Sequence, residues 1–97
     1  FRSLRTPTMI VSCGADAIAP NAVHSDPLYR NVGAAEKANF TIPLGTHWCV
    51  TNTPNAAIGK MSVAWMKRFL DDDTRYSQLV CAGPGIGATD WKSTCPV

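Results

Sequence analysis

Two short apolar segments constrain the fold of this chain more than any other feature. "TPTMIVSC" (6–13) is nearly continuous in apolar character with Pro7 at its start, and "KANFTIP" (37–43) is a second strand-like run. A run of this kind reads as a buried strand of the sort found in parallel sheets. Between the two, "GADAIAPN" (14–21) reads as a loop. "AVHSDPLYRNVG" (22–33) reads as a short helix, with Asp26 as N-cap, Pro27 as first helical residue and Gly33 as the stop. Strand, helix and strand in this order make a parallel βαβ unit, because parallel strands need a long crossover.

The remainder adds one strong helix. After the loop "LGTHWCVTNT" (44–53), Thr53-Pro54 opens a segment in which Ile58, Met61, Trp65, Met66, Phe69 and Leu70 fall close to one helical stripe, with Trp65 and Phe69 as core residues. Asp71, Asp72 and Asp73 follow, where the helix dipole disfavours negative charge. They read as a helix exit or as the cap of the next short turn, "TRYSQLV". Beyond Cys81, "AGPGIGATDW" is a Gly/Pro-rich loop and "DWKSTC" (90–95) a short edge strand. A βαβ unit needs layers on both faces and neighbouring strands, and this chain supplies few of either. It therefore reads as the end of a larger α/β sheet, incomplete on its own. It begins with Phe1, not methionine, and this reading expects an N-terminal part before it.

Composition excludes several functions. Net charge is +2 and charged residues make up 16% of the chain, so there is no basic stripe for nucleic acid and no polybasic run for anionic lipid. No uninterrupted apolar run reaches the ~18 residues of a membrane span. Four cysteines, Cys13, Cys49, Cys81 and Cys95, form no C-x-x-C. An even count without metal spacing points to two disulfides and an oxidising compartment. Three pairings are open. A Cys81–Cys95 bond would clip the tail, and a Cys13–Cys49 bond would join two strand ends, contributing about 3 and 4 kcal/mol in the chain-entropy model. Zinc at Cys13, His47 and Cys49 fits by ligand type, but H-x-C lacks the usual spacing. "NFT" at Asn39 matches the glycosylation pattern, which matters only in a eukaryotic secretory host.

Asp16 and His47 carry the chemistry. Each follows a strand by a few residues, and sites in open parallel sheets form beyond the carboxyl ends of the strands. A carboxylate that accepts from imidazole Nδ1 fixes the tautomer and leaves Nε2 to act as a general base toward a nucleophile. Acid before histidine, with a serine upstream, is the chain order of α/β-hydrolases. The nucleophile is missing. No G-x-S-x-G occurs, and none of Ser3, Ser12, Ser25, Ser62, Ser77 or Ser93 sits in a strand–turn–helix elbow.

"GADAIAP", "GTHWC", "IGKMSVAWMKRFLDDDTRYSQLVC" and the final "STCPV" together resemble the C-terminal third of bacterial cutinase-like polyester hydrolases. This is the α/β-hydrolase branch that includes PET hydrolases and proteins described as dienelactone hydrolases. The resemblance runs from about Thr6 to Cys95. It implies an α/β fold, with residues 1–97 forming the C-terminal portion of a single α/β-hydrolase domain: the last strands of a mostly parallel sheet with flanking helices. It implies Asp16 as the triad acid and His47 as the triad base. It pairs Cys81 with Cys95 in the C-terminal disulfide, and Cys13 with Cys49 in a further disulfide tying the acid loop to the histidine loop. Ile18 and Trp48 match positions lining the substrate cleft, and His24 a non-catalytic position beside it, read here as a partly buried polar residue. Trp48 stands where relatives often have Phe or Ser. Gly14 stands where some cutinases carry an acid that helps bind calcium, so no calcium site, metal or cofactor is expected. The implied whole is a secreted bacterial serine esterase acting on a polyester or small ester. Its serine lies in an N-terminal part that is the partner of this chain, and the chain alone is expected to be inactive. The alternative is a non-catalytic, disulfide-stabilised secreted module that binds polymer through Trp48 and Trp91.

Overall fold

The computed structural model describes residues 1–51 and 54–97, so Thr53, the expected start of the long helix, lies outside the described residues. Among the described residues three strands form one sheet: β1 (Thr8–Cys13), β2 (Lys37–Ile42) and β3 (Thr89–Ser93), in the order β1-β2-β3. β1 and β2 are parallel and in unbroken register from Thr8 opposite Lys37 to Cys13 opposite Ile42. β3 runs antiparallel to β2, with a register shift between Asn39 and Thr41. Asp90 takes a positive φ of 54° in β3, near that shift. The sheet is thus small and mixed, with a parallel βαβ unit and one antiparallel edge strand.

Burial separates the two parallel strands. β2 is buried from Ala38 to Thr41, whereas Thr8, Met9 and Val11 of β1 are only half-buried. The expectation of two buried strands therefore holds for β2 alone, because β1 lies at the edge of the sheet. Asn39, at the middle of β2, is only 1% exposed. Its "NFT" pattern is not an accessible glycosylation acceptor.

The crossover helix, α1 (Ser25–Asn31), begins earlier than the Asp26–Pro27 pair suggests. A 3-10 turn over Asn21–Val23 runs directly into it, with the His24 N–H bonded to the carbonyls of Pro20 and Asn21. His24 therefore takes the cap position, and Asp26 sits in the first turn, where its charge suits the helix dipole. The helix ends at Asn31, two residues before Gly33.

The second helix, α2 (Ala56–Phe69), is capped by Asn55, whose side chain accepts from Ile58 N–H at 3.0 Å. It lies across the sheet and builds a continuous apolar layer. Ala57, Met61, Ala64 and Trp65 pack with Met9, Val11, Ala38, Phe40 and Ile42. Val80 of α3 (Ser77–Ala82) and Trp91 of β3 complete that layer. Phe69 is half-buried against it, with its ring 4.5 Å from that of Trp65. Met66 and Leu70 do not join: they are exposed with Val63 on the outer side of α2. The three aspartates after α2 divide their work. Asp71 and Asp72 pair with Lys67 and Arg68 one turn earlier, at 3.0 and 3.1 Å, while Asp73 caps the next 3-10 turn by accepting from Arg75 N–H. Disulfides join Cys13 to Cys49 and Cys81 to Cys95. No described helix is long and apolar enough to cross a membrane.

Candidate active site

The carboxyl ends of β1 and β2 lie side by side because the strands are parallel and in register. The loops that leave them are laced together within a few residues. Gly14 N–H donates to the Ile42 carbonyl and Ala15 N–H to the Gly45 carbonyl, each at 2.8 Å. The Cys13–Cys49 disulfide closes the same pair of loops. Such an approach requires glycine at two places. A Cβ on Gly14 would stand 2.5 Å from the Pro43 carbonyl oxygen, and one on Gly45 would stand 2.5 Å from Cys49 Cβ. The glycine at position 14 therefore has a packing reason in this chain, and an acidic side chain would not fit without displacing the Pro43 backbone.

Asp16 stands at the head of this arrangement. Its Oδ1 accepts from the N–H groups of Ile18 at 2.8 Å and Ala19 at 2.7 Å, an Asx-turn that holds the carboxylate rigid. Its Oδ2 accepts from His47 Nδ1 at 2.8 Å. The Asp16 side chain is 7% exposed and that of His47 33%. Burial pushes the Asp16 carboxyl up. The bonds from Ala19 N–H, His47 and Ile18 N–H, with the electrostatic attraction of His47, outweigh it and hold the group below the ordinary carboxylate value. Asp16 is therefore an ionised acceptor that fixes His47 with Nδ1 protonated, leaving Nε2 as the basic nitrogen.

A cavity of about 490 Å³ opens beside the pair, lined by Ile10, Val11, Val23, Leu28 and Val50 with Asn21, His24 and Ser25 among its polar groups. His24 is exposed at this cavity, not partly buried. Ile18 and Trp48 do not line it. Ile18 is 66% exposed beyond Asp16, and Trp48, 56% exposed, lines a separate hollow with Leu44, Pro54 and Asn55. Trp48 does reach His47, edge to face with ring centroids 4.9 Å apart. Trp91, the second aromatic of the polymer-binding alternative, is half-buried under Gly83 with its ring centroid 6.5 Å from that of Phe40. It packs against the apolar layer between α2 and the sheet. Cys13 and Cys49 are both consumed in their disulfide, which removes the zinc reading. Among the described residues no three His, Cys, Asp or Glu side chains gather as metal ligands.

Sequence reasoning passed over Ser12, Asn21 and Thr41. They form a hydrogen-bonded chain beneath the acid loop: Asn21 Nδ2 to Thr41 Oγ1 at 3.2 Å, and Thr41 Oγ1 to Ser12 Oγ at 2.9 Å. The available signal was that Ser12 and Thr41 occupy facing positions near the ends of the two parallel strands.

Comparison with known proteins identifies the family. The chain is 43% identical over 101 residues to Cutinase 1 of Thermobifida cellulosilytica, covering 99% of this chain and 38% of that protein. It is equally similar to a cutinase of Thermobifida fusca, of which it covers 33%. It is 38% identical over 94 residues to a bis(hydroxyethyl) terephthalate hydrolase of Streptomyces coelicolor, covering 94% of this chain and 30% of that enzyme. The chain thus spans about a third of the length of these relatives. The family model described as PETase, PET hydrolase-like, matches residues 1–96. With nearly every residue inside that match, the chain belongs to the PET hydrolase-like family, whose fold is that of the α/β-hydrolases.

Proposed function

We propose that this chain is the acid–base portion of a secreted bacterial serine ester hydrolase of the cutinase and PET hydrolase type. On this reading residues 1–97 are the C-terminal fragment of one α/β-hydrolase domain, and the rest of the sheet, with the nucleophile and the oxyanion-hole donors, belongs to an N-terminal part. The observation that carries the reading is the 2.8 Å contact between Asp16 Oδ2 and His47 Nδ1 at the carboxyl ends of adjacent parallel strands. The family and the names of its relatives supply the substrate class, a carboxylic ester of a polyester or of a small acyl compound.

The mechanism follows from that contact. A serine hydroxyl from the N-terminal part attacks the ester carbonyl while His47 Nε2 takes its proton. The imidazolium is stabilised by Asp16 and gives the proton to the leaving alcohol, so the C–O bond of the ester breaks and an acyl-enzyme remains. Water then attacks the acyl carbon, His47 takes a proton from it and returns it to the serine, and the free acid departs. Asp16 stays ionised throughout. Ile18 and Trp48 flank the acid and the base on their exposed side, where a bulky polymer can reach them. Without the serine, the chain alone turns over no ester by this route.

The test uses the full-length enzyme and a p-nitrophenyl ester. Asp16→Asn is expected to lower kcat by about ten-thousand-fold, because the wrong imidazole tautomer is then held. His47→Ala is expected to lower it by about a million-fold. Turnover that survives either substitution would sink the proposal.

A further inference from the structure

The loop that carries Asp16 is fixed firmly at one end. At its start, β1, the Cys13–Cys49 disulfide and two interloop hydrogen bonds hold it. At its far end, Ala19 N–H supplies a bond to Asp16 Oδ1, and two residues later the chain reaches Asn21. The Asn21 side chain returns to the sheet. Its Nδ2 donates to Thr41 Oγ1 at 3.2 Å, Thr41 Oγ1 lies 2.9 Å from Ser12 Oγ, and Ser12 Oγ donates to the Phe40 carbonyl at 3.4 Å. The three contacts link the loop to the β2 backbone through two buried hydroxyls. Ser12 and Thr41 are buried, at 7% and 3% exposure. Buried in this way, the Ser12–Thr41 contact is not readily exchanged for water.

We propose that Asn21, Thr41 and Ser12 form a cross-tie that positions the acid loop, so that Asn21 and Thr41 act on turnover through Ala19 and Asp16 without touching substrate. Asn21 has one further feature in keeping with this. Its Oδ1 is buried without a hydrogen-bond partner among the described residues, in the wall of the cavity that Asp16 and His47 share. The amide is therefore held by its nitrogen end alone, and the tie rests on Thr41. This proposal depends on the functional reading above, since it assigns residues that serve the Asp16–His47 pair.

The experiment measures kcat, KM and melting temperature for the full-length enzyme with a soluble p-nitrophenyl ester. Thr41→Val keeps the shape and removes the hydroxyl, Thr41→Ser keeps the hydroxyl, and Asn21→Ala removes the loop end of the tie. Loss of alignment at the acid is expected to lower kcat by about 10- to 100-fold in Thr41→Val and in Asn21→Ala, with KM changed by less than about twofold. Thr41→Ser is expected to restore most of kcat. The double variant Thr41→Val/Asn21→Ala is expected to lose no more than the worse single one, because both break the same tie. Wild-type kcat in Thr41→Val, an equal loss in Thr41→Ser, or additive losses in the double variant would each overturn the cross-tie. Should Thr41→Val fail to fold, Asn21→Ala, at a half-buried turn, decides alone by its split between kcat and KM. His47→Ala, run beside them, separates the two claims. If it retains turnover the functional reading falls and the cross-tie with it. If it is inactive while Thr41→Val and Asn21→Ala are normal, only the cross-tie falls.

Discussion

The two faces of the sheet are built from different chemistry. Toward α2, Met9, Val11, Ala38, Phe40 and Ile42 meet Ala57, Met61 and Trp65 in an apolar layer. Toward α1, the alternate positions of the same strands carry Ser12, Asn39 and Thr41 beside Ile10, all buried, with Asn21 and Ser25 packed near them. Apolar contact is non-directional and rewards burial of any good shape, whereas buried hydroxyls and amides cost free energy unless their partners stand at particular angles. The α2 face holds the unit together, and the α1 face fixes where its loops end.

That contrast can be broken first from the dry side. Phe40→Ala in the full-length enzyme empties the centre of the layer and is expected to cost about 3–5 kcal/mol of stability, read from urea denaturation. A cost below about 1 kcal/mol would mean that the layer is not the main support. Opening Cys13–Cys49 by Cys13→Ala/Cys49→Ala tests the tie that belongs to neither face. It is expected to cost about 2–4 kcal/mol and to lower ester turnover at temperatures where the variant remains folded. Unchanged turnover there would show that the interloop hydrogen bonds suffice. Asn39→Leu sharpens the comparison from the polar side. Asn39 Oδ1 is buried without a partner among the described residues, and its Nδ2 makes a long 3.4 Å bond to the Asp90 carbonyl. Exchanging it for an apolar residue of similar size is expected to be neutral or stabilising by about 1 kcal/mol, and a loss larger than that would give the amide a structural task.

The smallest expected effect concerns acid. Burial raises the Asp16 carboxyl, but its hydrogen bonds and the attraction of His47 hold it below the ordinary value of 3.8. The folded state therefore favours the ionised form. The stability it contributes is complete above that ordinary value and is lost as the pH falls through the lower folded one. Denaturation midpoints followed downward through that interval should fall less steeply in Asp16→Asn than in the wild type. Parallel curves would remove Asp16 as a source of acid sensitivity.

Much of this was legible in the residues, for identifiable reasons. β1, β2 and α2 announce themselves by apolar pattern, and the meeting of Asp16 with His47 follows from parallel strands ending at one edge. The start of α1 is obscured in the sequence because a local signal, Asp26-Pro27, competes with a 3-10 turn whose carbonyls, Pro20 and Asn21, accept from His24 N–H. Met66 and Leu70 lie at the margin of the α2 stripe, about 100° or more around the helix from Trp65, and are exposed. The cross-tie was invisible for a simpler reason. Nothing in the residue pattern shows that Asn21, in the turn after the acid loop, comes back to Thr41 and Ser12 on the two strands.

The two edges of the sheet differ in how they meet a stray strand. β3 carries Asp90 and Lys92, a register shift and a positive φ, all of which spoil its edge as a template. β1 has none of these. "TMIVSC" is uncharged, evenly registered and half-buried, and its outer row of N–H and C=O groups pairs with no strand among the described residues. A polypeptide consisting of these residues alone would therefore recruit its own copies along β1, and recombinant expression of the segment by itself should yield inclusion bodies sooner than monomer.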